Sequence, residues 1–386
     1  MKNRIKFRIK SSAVIHISVI SSFFAVLVIF FIAGLMLPDK DYSETENRNL
    51  ASFPEFSVEN VISGNFMSNF ETYFSDQFIN RDKIVSFKTS LSRALGITEV
   101  NDVYIGKSER LYEVPSEFNE DTVRKTTDAV NNFASRCNIE NKYFILAPNS
   151  THIIPEQLPA LLNCSDQCAQ INDIYSQLDS NFKCIDAEGV LAASADRDAL
   201  YLRTDHHWTA TAAKLVFDSF AATAELDTSE IKYSNIDLSH TFCGTLASSS
   251  GVNVTPDYLY AVVPDGIEGT FIVHNYDKQE KKTTFFDAQK LNSKNQYEVF
   301  FGGNFSRIRI YSDNINARNL LIIKDSYANC FIPMLIPHFE NIIIIDPRYF
   351  SGNLEDVLLD YNFTDLLFLY NFNTFVEDTS IASVLK

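Results

Sequence analysis

The chain has 386 residues, with 33 basic against 49 acidic side chains and a formal net charge of −16 at pH 7. Hydrophobic residues make up 46% of it, which excludes a disordered chain and provides for one large core or two modest ones. So acidic a chain argues against nucleic acid or anionic lipid as a partner, because binding to phosphate depends on clustered Lys and Arg.

The N-terminus has a composition of its own. Residues 1–10, MKNRIKFRIK, hold five of the basic residues and no acid, and residues 11–37 contain no charged side chain. About 20 apolar residues span a bilayer as a helix, so this run predicts a transmembrane anchor. A signal peptide is the alternative, but its apolar region is shorter and ends in a small-residue cleavage site that is not evident here. The basic flank predicts a cytoplasmic tail at residues 1–10 and an extracytoplasmic position for residues 38–386 at the cell membrane.

Residues 38–100 predict a stalk followed by amphipathic helices. The first twenty are polar, charged and bounded by Pro, and apolar residues then recur at three- and four-residue spacing from 58 to 95. The alternating stretch NDVYIGKSERLYE at 101–113, around a Gly-Lys-Ser turn, predicts a hairpin. We place the start of the main domain, residues 101–386, at this hairpin.

Helical and strand patterns alternate through the main domain. Helices are predicted at 120–136, 167–180 and 209–224. Strands are predicted in NKYFILAPNS at 141–150, which ends in a turn, in FKCIDAEGVL at 182–191, and in three apolar runs, RNLLIIKDS, ENIIIIDPRYF and DLLFLYNFNTF. This alternation predicts an α/β fold, a parallel sheet covered by helices on both faces, while residues 228–315 predict a β-rich insertion. Ligands of such sheets bind beyond the carboxyl ends of the strands, so the polar residues that follow the last three runs are candidates for chemistry.

One acid and two histidines precede the predicted helix that Thr209 caps. In an extended segment Asp205 and His207 share a face, so the carboxylate can accept the Nδ1 proton of His207 and leave Nε2 free to take a proton from a nucleophile. His206 then points to the other face, which argues against a metal ion shared by the two histidines. We predict no metal site and no cofactor, and we expect Trp208 to pack in the core. A D-x-H triplet is by itself commonly structural.

Ser326 follows a predicted strand at a turn into a predicted helix. A serine there is usually a cap, but the same position exposes its hydroxyl beside unpaired N–H groups that favour an oxyanion. The polar residues that follow the last three predicted strands supply candidates for oxyanion or substrate contacts: Asn371, Asn373, Arg348, Tyr349 and Tyr327. The alternatives are that the asparagines only form turns and that Arg348 pairs with Asp346.

The six cysteines are compatible with disulfides if the domain is outside the cell. Cys164 with Cys168, and Cys137 with Cys184, are the plausible pairs, and a zinc site at the first pair is the weaker alternative.

Taken together, several stretches resemble the DHHW family of single-anchor bacterial surface proteins: TDHHWT, ETENRNLASFPEFS, IIKDSYAN, IDPRYF and FGGN at 301–304. That family is in turn similar to the alginate O-acetyltransferase-like branch of the SGNH/GDSL hydrolases. The resemblance implies an SGNH-hydrolase-like α/β fold in circularly permuted order, since the acid and the histidine here precede the serine.

The resemblance also implies the roles of individual residues. Ser326 becomes the nucleophile, His207 the base, Asp205 the residue that orients it, and Asn371 or Asn373 the oxyanion asparagine. Lys324 stands in place of the glycine in the GDS-like turn, and no G-x-N-D match is present.

Three functions fit these features. The first is acyl transfer, with O-acetylation of a cell-surface polysaccharide through an acyl-serine. The resemblance implies a multi-pass partner of the MBOAT type that delivers acetyl groups across the membrane. The second is a deacetylase or esterase that uses the same residues with water, and the third is a non-catalytic protein that binds glycans through its many Phe and Tyr side chains.

Overall fold

The computed structural model describes residues 11–43, 48–160 and 166–386, together with Leu162 and Cys164. These residues form two compact units, with the division after Ser90. The predicted cytoplasmic tail, residues 1–10, lies outside the described residues.

The first unit is helical. Its helices are α1 (Ser11–Met36), α2 (Val58–Ile62), α3 (Asn65–Asp76) and α4 (Arg81–Ala94), the last continuing past the division, and its short strands are β1 (Tyr42–Ser43) and β2 (Arg48–Asn49). Val14–Gly34 of α1 is long and apolar enough to cross a membrane, and no other helix among the described residues is. The described residues do not bury this segment.

The second unit contains the remaining elements. Its strands are β3 (Glu99–Val100), β4 (Val103–Ile105), β5 (Leu111–Glu113), β6 (Asn141–Ala147), β7 (Phe182–Ile185), β8 (Tyr233–Phe242), β9 (Asp257–Pro264), β10 (Phe271–Asn275), β11 (Glu280–Lys282), β12 (Arg307–Ser312), β13 (Asn319–Lys324), β14 (Asn341–Ile345) and β15 (Asp365–Asn371). Its α-helices are α5 (Glu120–Arg136), α6 (Ser150–Ile153), α7 (Gln167–Gln177), α8 (Ala187–Ala192), α9 (Ala210–Thr223), α10 (Thr245–Ser250), α11 (Leu354–Asp360), α12 (Phe372–Glu377) and α13 (Ser380–Val384).

The central sheet has eight strands in the order β11-β10-β12-β14-β13-β15-β6-β7. The five strands from β14 to β7 are parallel, as predicted. Three further strands, β12, β10 and β11, extend one edge of this parallel sheet in antiparallel pairings, so the whole sheet is mixed. These three strands come from the predicted β-rich insertion, whose remaining strands β8 and β9 pair with each other.

Side chains that alternate between the two faces of the sheet form two hydrophobic cores, one on each face. Along β13, Leu320 and Ile322 belong to one core, which includes α9, and Leu321 and Ile323 belong to the other, which includes α5 and α7. Successive side chains of a strand point to opposite faces, so a strand covered on both sides needs a continuous apolar run. The runs at β13, β14 and β15 are therefore central strands of a sheet covered on both faces.

Most local predictions are confirmed, and two need correction. The helix at 120–136, the strand at 141–147 and the hairpin of β4 and β5 all form. The turn predicted after β7 is instead the short helix α8, capped by the Asp186 side chain. The helix predicted after Ser326 is instead a pair of 3₁₀ segments, Ser326–Cys330 and Ile332–His338. Pro333 and Pro337 lie in the second segment and lack the N–H that an α-helical ladder requires.

Candidate active site

Ser326 lies at the carboxyl end of β13, in the middle of the sheet. From Leu320 to Ile336 every residue is buried except Ser326, so its hydroxyl is the point at which this segment meets solvent. The side chain of Asp325 caps the 3₁₀ turn by accepting the Tyr327 amide at 2.9 Å and the Asn371 amide at 2.8 Å. The Ser326 amide itself has no hydrogen-bond partner among the described residues.

The DHHW stretch, residues 205–208, lies in a tight loop that packs against this turn. We call it the DHHW loop. A bridge between Tyr201 and Trp208 closes the loop, and Thr209 caps α9 as predicted. Trp208 is fully buried, which confirms its expected place in the core, and its Nε1 donates to the Tyr327 carbonyl at 2.9 Å. That hydrogen bond fixes the loop to the segment that carries Ser326.

The structure brings the three proposed catalytic residues together. Nε2 of His207 lies 2.8 Å from Ser326 Oγ, although the two residues are 119 positions apart in sequence. Nδ1 of His207 lies 2.5 Å from Asp205 Oδ1. Asp205 and His207 are both buried, so solvent does not compete for the hydrogen bond between them. The arrangement allows His207 to take the Ser326 proton while Asp205 holds the imidazole in the required tautomer.

Asp205 is held as a carboxylate by its surroundings. Its Oδ1 also accepts the His207 amide at 3.0 Å, and its Oδ2 accepts the amide and hydroxyl of Thr245 at 2.8 and 3.1 Å. Burial by itself would raise the pKa of this carboxyl. The nearby His206 and His207 and the hydrogen bonds outweigh burial and hold the pKa of Asp205 well below its ordinary value. The group is therefore ionised and able to accept the Nδ1 proton of His207.

His206 does not point away, so the prediction that the two histidines face opposite sides is wrong. Residues 203–207 form successive bends instead of an extended strand, and the two rings lie 4.0 Å apart between centroids. His206 Nδ1 lies 2.9 Å from Thr245 Oγ1, and burial beside His207 lowers the pKa of His206. Asp205, His206 and His207 offer ligand atoms within 4.8 Å of one another. Both ring nitrogens of His207 and both oxygens of Asp205 are already engaged in hydrogen bonds, which suits acid–base chemistry better than metal ligation.

An aromatic ring that the sequence analysis missed covers His207. Tyr297, from the 3₁₀ segment Gln296–Val299, stacks on the imidazole with centroids 3.8 Å apart and planes at 14°. This contact limits rotation of the imidazole, because a stacked ring of that size occupies the space into which it would turn. Nothing in the local pattern around Tyr297 marks it for this contact.

The two asparagines predicted for the oxyanion are engaged elsewhere. Asn371 caps α12 by accepting the Asn373 amide at 3.0 Å, and its Nδ2 donates to the Ala147 carbonyl at 3.3 Å. Asn373 Nδ2 donates to Glu113 Oε2 at 2.8 Å and to the Val114 carbonyl at 3.2 Å. Both asparagines are buried, and these contacts join β15 to its neighbours instead of reaching Ser326.

The other predicted contact residues are divided between buried and exposed positions. Tyr327 is buried, and its hydroxyl donates to the His206 carbonyl, so its ring supports the DHHW loop. Arg348 forms a bidentate pair with Asp346, at 2.7 and 2.9 Å, which is the alternative considered for it. Tyr349 is 53% exposed, and its role in binding substrate stays a prediction.

A buried lysine, Lys324, lies two residues before Ser326 at the end of β13. The three protons of the Lys324 ammonium have three acceptors: Asn304 Oδ1 at 3.2 Å, Asn329 Oδ1 at 3.0 Å and Asp346 Oδ2 at 3.3 Å. Burial lowers the pKa of Lys324, and the Asp346 carboxylate opposes that change. The residue that replaces the glycine of the GDS-like turn thus joins three segments at the carboxyl edge of the sheet.

Asn304, in the FGGN stretch, is joined through Asn329 to the 3₁₀ segment that begins at Ser326. Its Oδ1 accepts both Lys324 Nζ and, at 3.1 Å, Asn329 Nδ2. Residues i and i+3 of a 3₁₀ helix eclipse, so Asn329 lies on the same side of its segment as Ser326. The Nδ2 of Asn304 has no hydrogen-bond partner among the described residues. The sequence signal was the G-x-N pattern of Gly302 to Asn304, which lacks the Asp of the full motif.

Glu113, at the end of β5, is a further ionisable group that the sequence analysis missed. Its Oε2 accepts Asn149 Nδ2 at 3.1 Å and Asn373 Nδ2 at 2.8 Å. Burial raises the pKa of Glu113, opposed by His206 and by the hydrogen bond from Asn373. The carboxyl group therefore connects the polar ends of β5, β6 and β15.

None of the six cysteines, all of which are described, is part of a disulfide. The predicted pairs, Cys164 with Cys168 and Cys137 with Cys184, therefore do not form in this structure. Burial raises the pKa of Cys137, Cys184 and Cys330 to about 11, which keeps them as thiols at neutral pH.

The fold is that of an SGNH-like α/β protein, and in the candidate site the acid and the histidine precede the serine in the chain. The sequence profile described as "DHHW protein" matches residues 46–143 and 117–345. The chain belongs to the DHHW family. A search of curated proteins gives no match.

Several solved structures are similar to this chain in fold. A DHHW family protein from Eubacterium siraeum is 23% identical, with a TM-score of 0.61, and the match covers 74% of this chain and 95% of that one. PatB1 from Bacillus cereus, solved with a sulfonyl adduct, is 20% identical, with a TM-score of 0.62 and coverage of 74% and 98%. The O-acetyltransferase domain of AlgJ from Pseudomonas putida gives 12% identity and a TM-score of 0.46, over 73% and 98%.

Proposed function

We propose that this protein is a membrane-anchored, extracytoplasmic serine acyltransferase that O-acetylates a cell-surface polysaccharide. The observation that carries the proposal is the chain of contacts from Asp205 through His207 to Ser326, at 2.5 and 2.8 Å. The family's relation to the alginate O-acetyltransferase-like branch supports acetyl as the acyl group. Val14–Gly34 supports a membrane anchor, since it has the length and composition of a span.

The first half of the reaction is acylation of Ser326. His207 Nε2 accepts the hydroxyl proton as Oγ attacks the ester carbonyl of the donor, and the carbonyl oxygen becomes an oxyanion. Collapse of this tetrahedral intermediate breaks the bond to the donor's alkoxy group, which leaves with the proton held by His207. Asp205 stays ionised throughout, in keeping with its depressed pKa.

We assign the oxyanion donors to the amide of Ser326 and to Nδ2 of Asn304. Both N–H groups lack a partner within the described part of the chain, and Lys324 and Asn329 fix the orientation of the Asn304 amide through its Oδ1. Donors aimed in advance at the developing charge stabilise the transition state without reorganisation. The side chains of Asn371 and Asn373 are engaged in hydrogen bonds elsewhere, which favours Asn304 over either of them as the oxyanion asparagine.

The second half transfers the acetyl group to a sugar hydroxyl. His207, neutral again, accepts the proton of that hydroxyl as it attacks the acyl-serine, and returns the proton to Ser326 Oγ as the ester bond breaks. Water in place of the sugar turns the same machinery into an esterase. We further propose a multi-pass membrane protein of the MBOAT type as the source of acetyl groups, because a single anchor helix offers no path for acetyl across the bilayer.

The test supplies the full chain, purified in detergent, with p-nitrophenyl acetate and a panel of oligosaccharides. Acetylated oligosaccharide, detected by mass spectrometry, supports the transferase, and release of acetate alone supports the esterase. Ser326→Ala is expected to abolish both, while Ser351→Ala, at an exposed serine, leaves them unchanged. Ser326→Ala with undiminished turnover would refute the proposed nucleophile and with it the proposed function.

Covalent labelling gives an independent readout of the nucleophile. A sulfonyl fluoride reacts with an activated serine to form a sulfonyl ester with loss of fluoride, so it should label Ser326 stoichiometrically. Labelling is expected to fall sharply in His207→Ala, which removes the base. Equal labelling of the variant and the unmodified protein would show that His207 does not activate the serine.

A further inference from the structure

Helix α4 (Arg81–Ala94) presents an apolar stripe to solvent. Ile84, Phe87 and Leu91 recur at three- and four-residue spacing, which puts them on one side of the helix, and they are 47%, 69% and 51% exposed. Thr89, a polar residue, is buried on a different side. The usual orientation of an amphipathic helix is therefore reversed, and the exposed stripe requires an explanation.

Basic side chains flank the stripe on both sides. Lys83 stands four residues before Phe87 and Lys88 four residues after Ile84, and both lysines are exposed. Neither forms an ion pair within the described part of the chain. By sequence α4 carries four basic residues and one acid in a chain of net charge −16, so its charge runs against that of the protein as a whole.

The start of α4 lies close to the end of the candidate membrane span. Arg81 and Asn80 line the same cavity as Leu37 and Pro38, the residues that follow α1. Just before α4, the ring of Phe78 stacks on that of Phe30 in α1, with centroids 5.5 Å apart. If α1 crosses a bilayer, α4 begins at the level where the chain leaves the hydrocarbon.

We propose that α4 is an interfacial helix that binds the anionic headgroup surface of the bilayer spanned by α1. Ile84, Phe87 and Leu91 enter the boundary between headgroups and acyl chains, while Lys83 and Lys88 contact lipid phosphates. An apolar face bordered by lysines is the pattern of helices that lie in this interface. The acidity of the whole chain, which argued against anionic lipid, does not describe this helix. The proposal concerns membrane binding and stands apart from the acyl-transfer chemistry.

The test places the full chain in vesicles of acyl-brominated phosphatidylglycerol and measures tryptophan fluorescence. Phe87→Trp puts a reporter on the stripe, and Ile315→Trp is the matched control at an apolar residue that is 95% exposed in the second unit. Trp208, fully buried, adds the same background to both. We expect strong bromine quenching for Phe87→Trp and little for Ile315→Trp. Leu91→Trp repeats the measurement if Phe87→Trp does not fold.

Headgroup charge is tested by changing lipid and lysines separately. A lysine near an anionic surface favours binding about fivefold, so Lys83→Gln with Lys88→Gln should weaken partition of the helix about 25-fold and reduce quenching. Brominated phosphatidylcholine in place of phosphatidylglycerol should have a similar effect. Quenching of Phe87→Trp no greater than that of Ile315→Trp would overturn the proposal and indicate that a protein, not lipid, covers the stripe. If quenching of Phe87→Trp stays strong in brominated phosphatidylcholine and after both lysines are replaced, headgroup charge does not contribute to binding.

Discussion

Replacing Asp205 by Asn tests how His207 is held. The carboxylate accepts four donors: the His207 amide and Nδ1 at Oδ1, and the Thr245 amide and hydroxyl at Oδ2. An asparagine must put its NH₂ at one of these two positions. At Oδ2 it meets the Thr245 N–H, and at Oδ1 it meets the His207 N–H and donates to Nδ1. The second choice leaves the proton on Nε2, which then cannot accept from Ser326.

The size of the effect follows from this tautomer. A wrong imidazole tautomer in a serine triad lowers kcat by about 10⁴-fold, equivalent to about 5.4 kcal/mol of transition-state stabilisation. The asparagine NH₂ leaves one backbone N–H, that of His207 or that of Thr245, without an acceptor. This lowers the free energy of unfolding by about 1–3 kcal/mol. We therefore expect a variant that folds at lower temperature and releases p-nitrophenol with kcat about 10⁴-fold lower, while KM changes little.

Asp257, the first residue of β9, provides a matched control that contacts the same loop. It is buried and accepts the amides of Arg203 and Thr204, both at 2.8 Å, but it forms no hydrogen bond to a histidine among the described residues. Asp257→Asn should cost similar stability and lower kcat by no more than about tenfold. If Asp205→Asn keeps kcat within tenfold of the unmodified protein, or if the two variants lose kcat equally, Asp205 does not act by setting the tautomer of His207.

Three further predictions concern neighbouring residues. His207→Ala should lower kcat about 10⁴-fold and His206→Ala about tenfold or less, because it is His207 that hydrogen-bonds Ser326 Oγ, whereas the ring of His206 contacts Thr245 and the ring of His207. Equal losses in steady-state assays would contradict these roles. Asn304→Ala should lower kcat about 10²-fold at constant KM, because it removes an oxyanion donor. Asn371→Ala should leave kcat nearly unchanged and lower the free energy of unfolding by about 1 kcal/mol, because it removes the cap of α12. A large loss of kcat in Asn371→Ala but not in Asn304→Ala would return the oxyanion role to Asn371. Burial raises the pKa of Glu113 in the folded state above its value in the unfolded chain. Between these two pKa values the folded protein still binds a proton that the unfolded chain has released. The free energy of unfolding therefore falls as the pH rises from the unfolded to the folded pKa. The melting temperature of Glu113→Gln relative to the unmodified protein should therefore increase from acid to neutral pH, and a constant difference would show that the carboxyl group is not perturbed.

Local sequence was sufficient for elements whose pattern depends on near neighbours. The helix at 120–136 follows from apolar spacing and the Asn119 cap, and the strands at β6, β13, β14 and β15 follow from continuous apolar runs. Asp205 and His207 could be selected as a D-x-H triplet before a predicted helix, and Ser326 because it follows a predicted strand. These features depend on local backbone geometry and burial pattern, which a short window of sequence contains.

Orientation within irregular segments could not be predicted in the same way. Alternation assigned His206 and His207 to opposite faces, but the loop bends at each residue from 203 to 207, and the rules of an extended strand do not apply. Asn371 and Asn373 stood in the expected place after a strand, yet a helix cap and the buried Glu113 engage their side chains. Such choices depend on which polar groups are brought within reach by the fold.

The sequence by itself thus determined the kinds of elements, the apolar anchor segment and the residue types of the candidate site. The tertiary structure decided which of them meet. It put β13 between β14 and β15, brought His207 to Ser326 across 119 residues, placed Tyr297 on the imidazole and oriented Asn304 through Lys324. These contacts join segments far apart in the chain, and burial in a shared core, not local backbone preference, supplies the free energy that holds them.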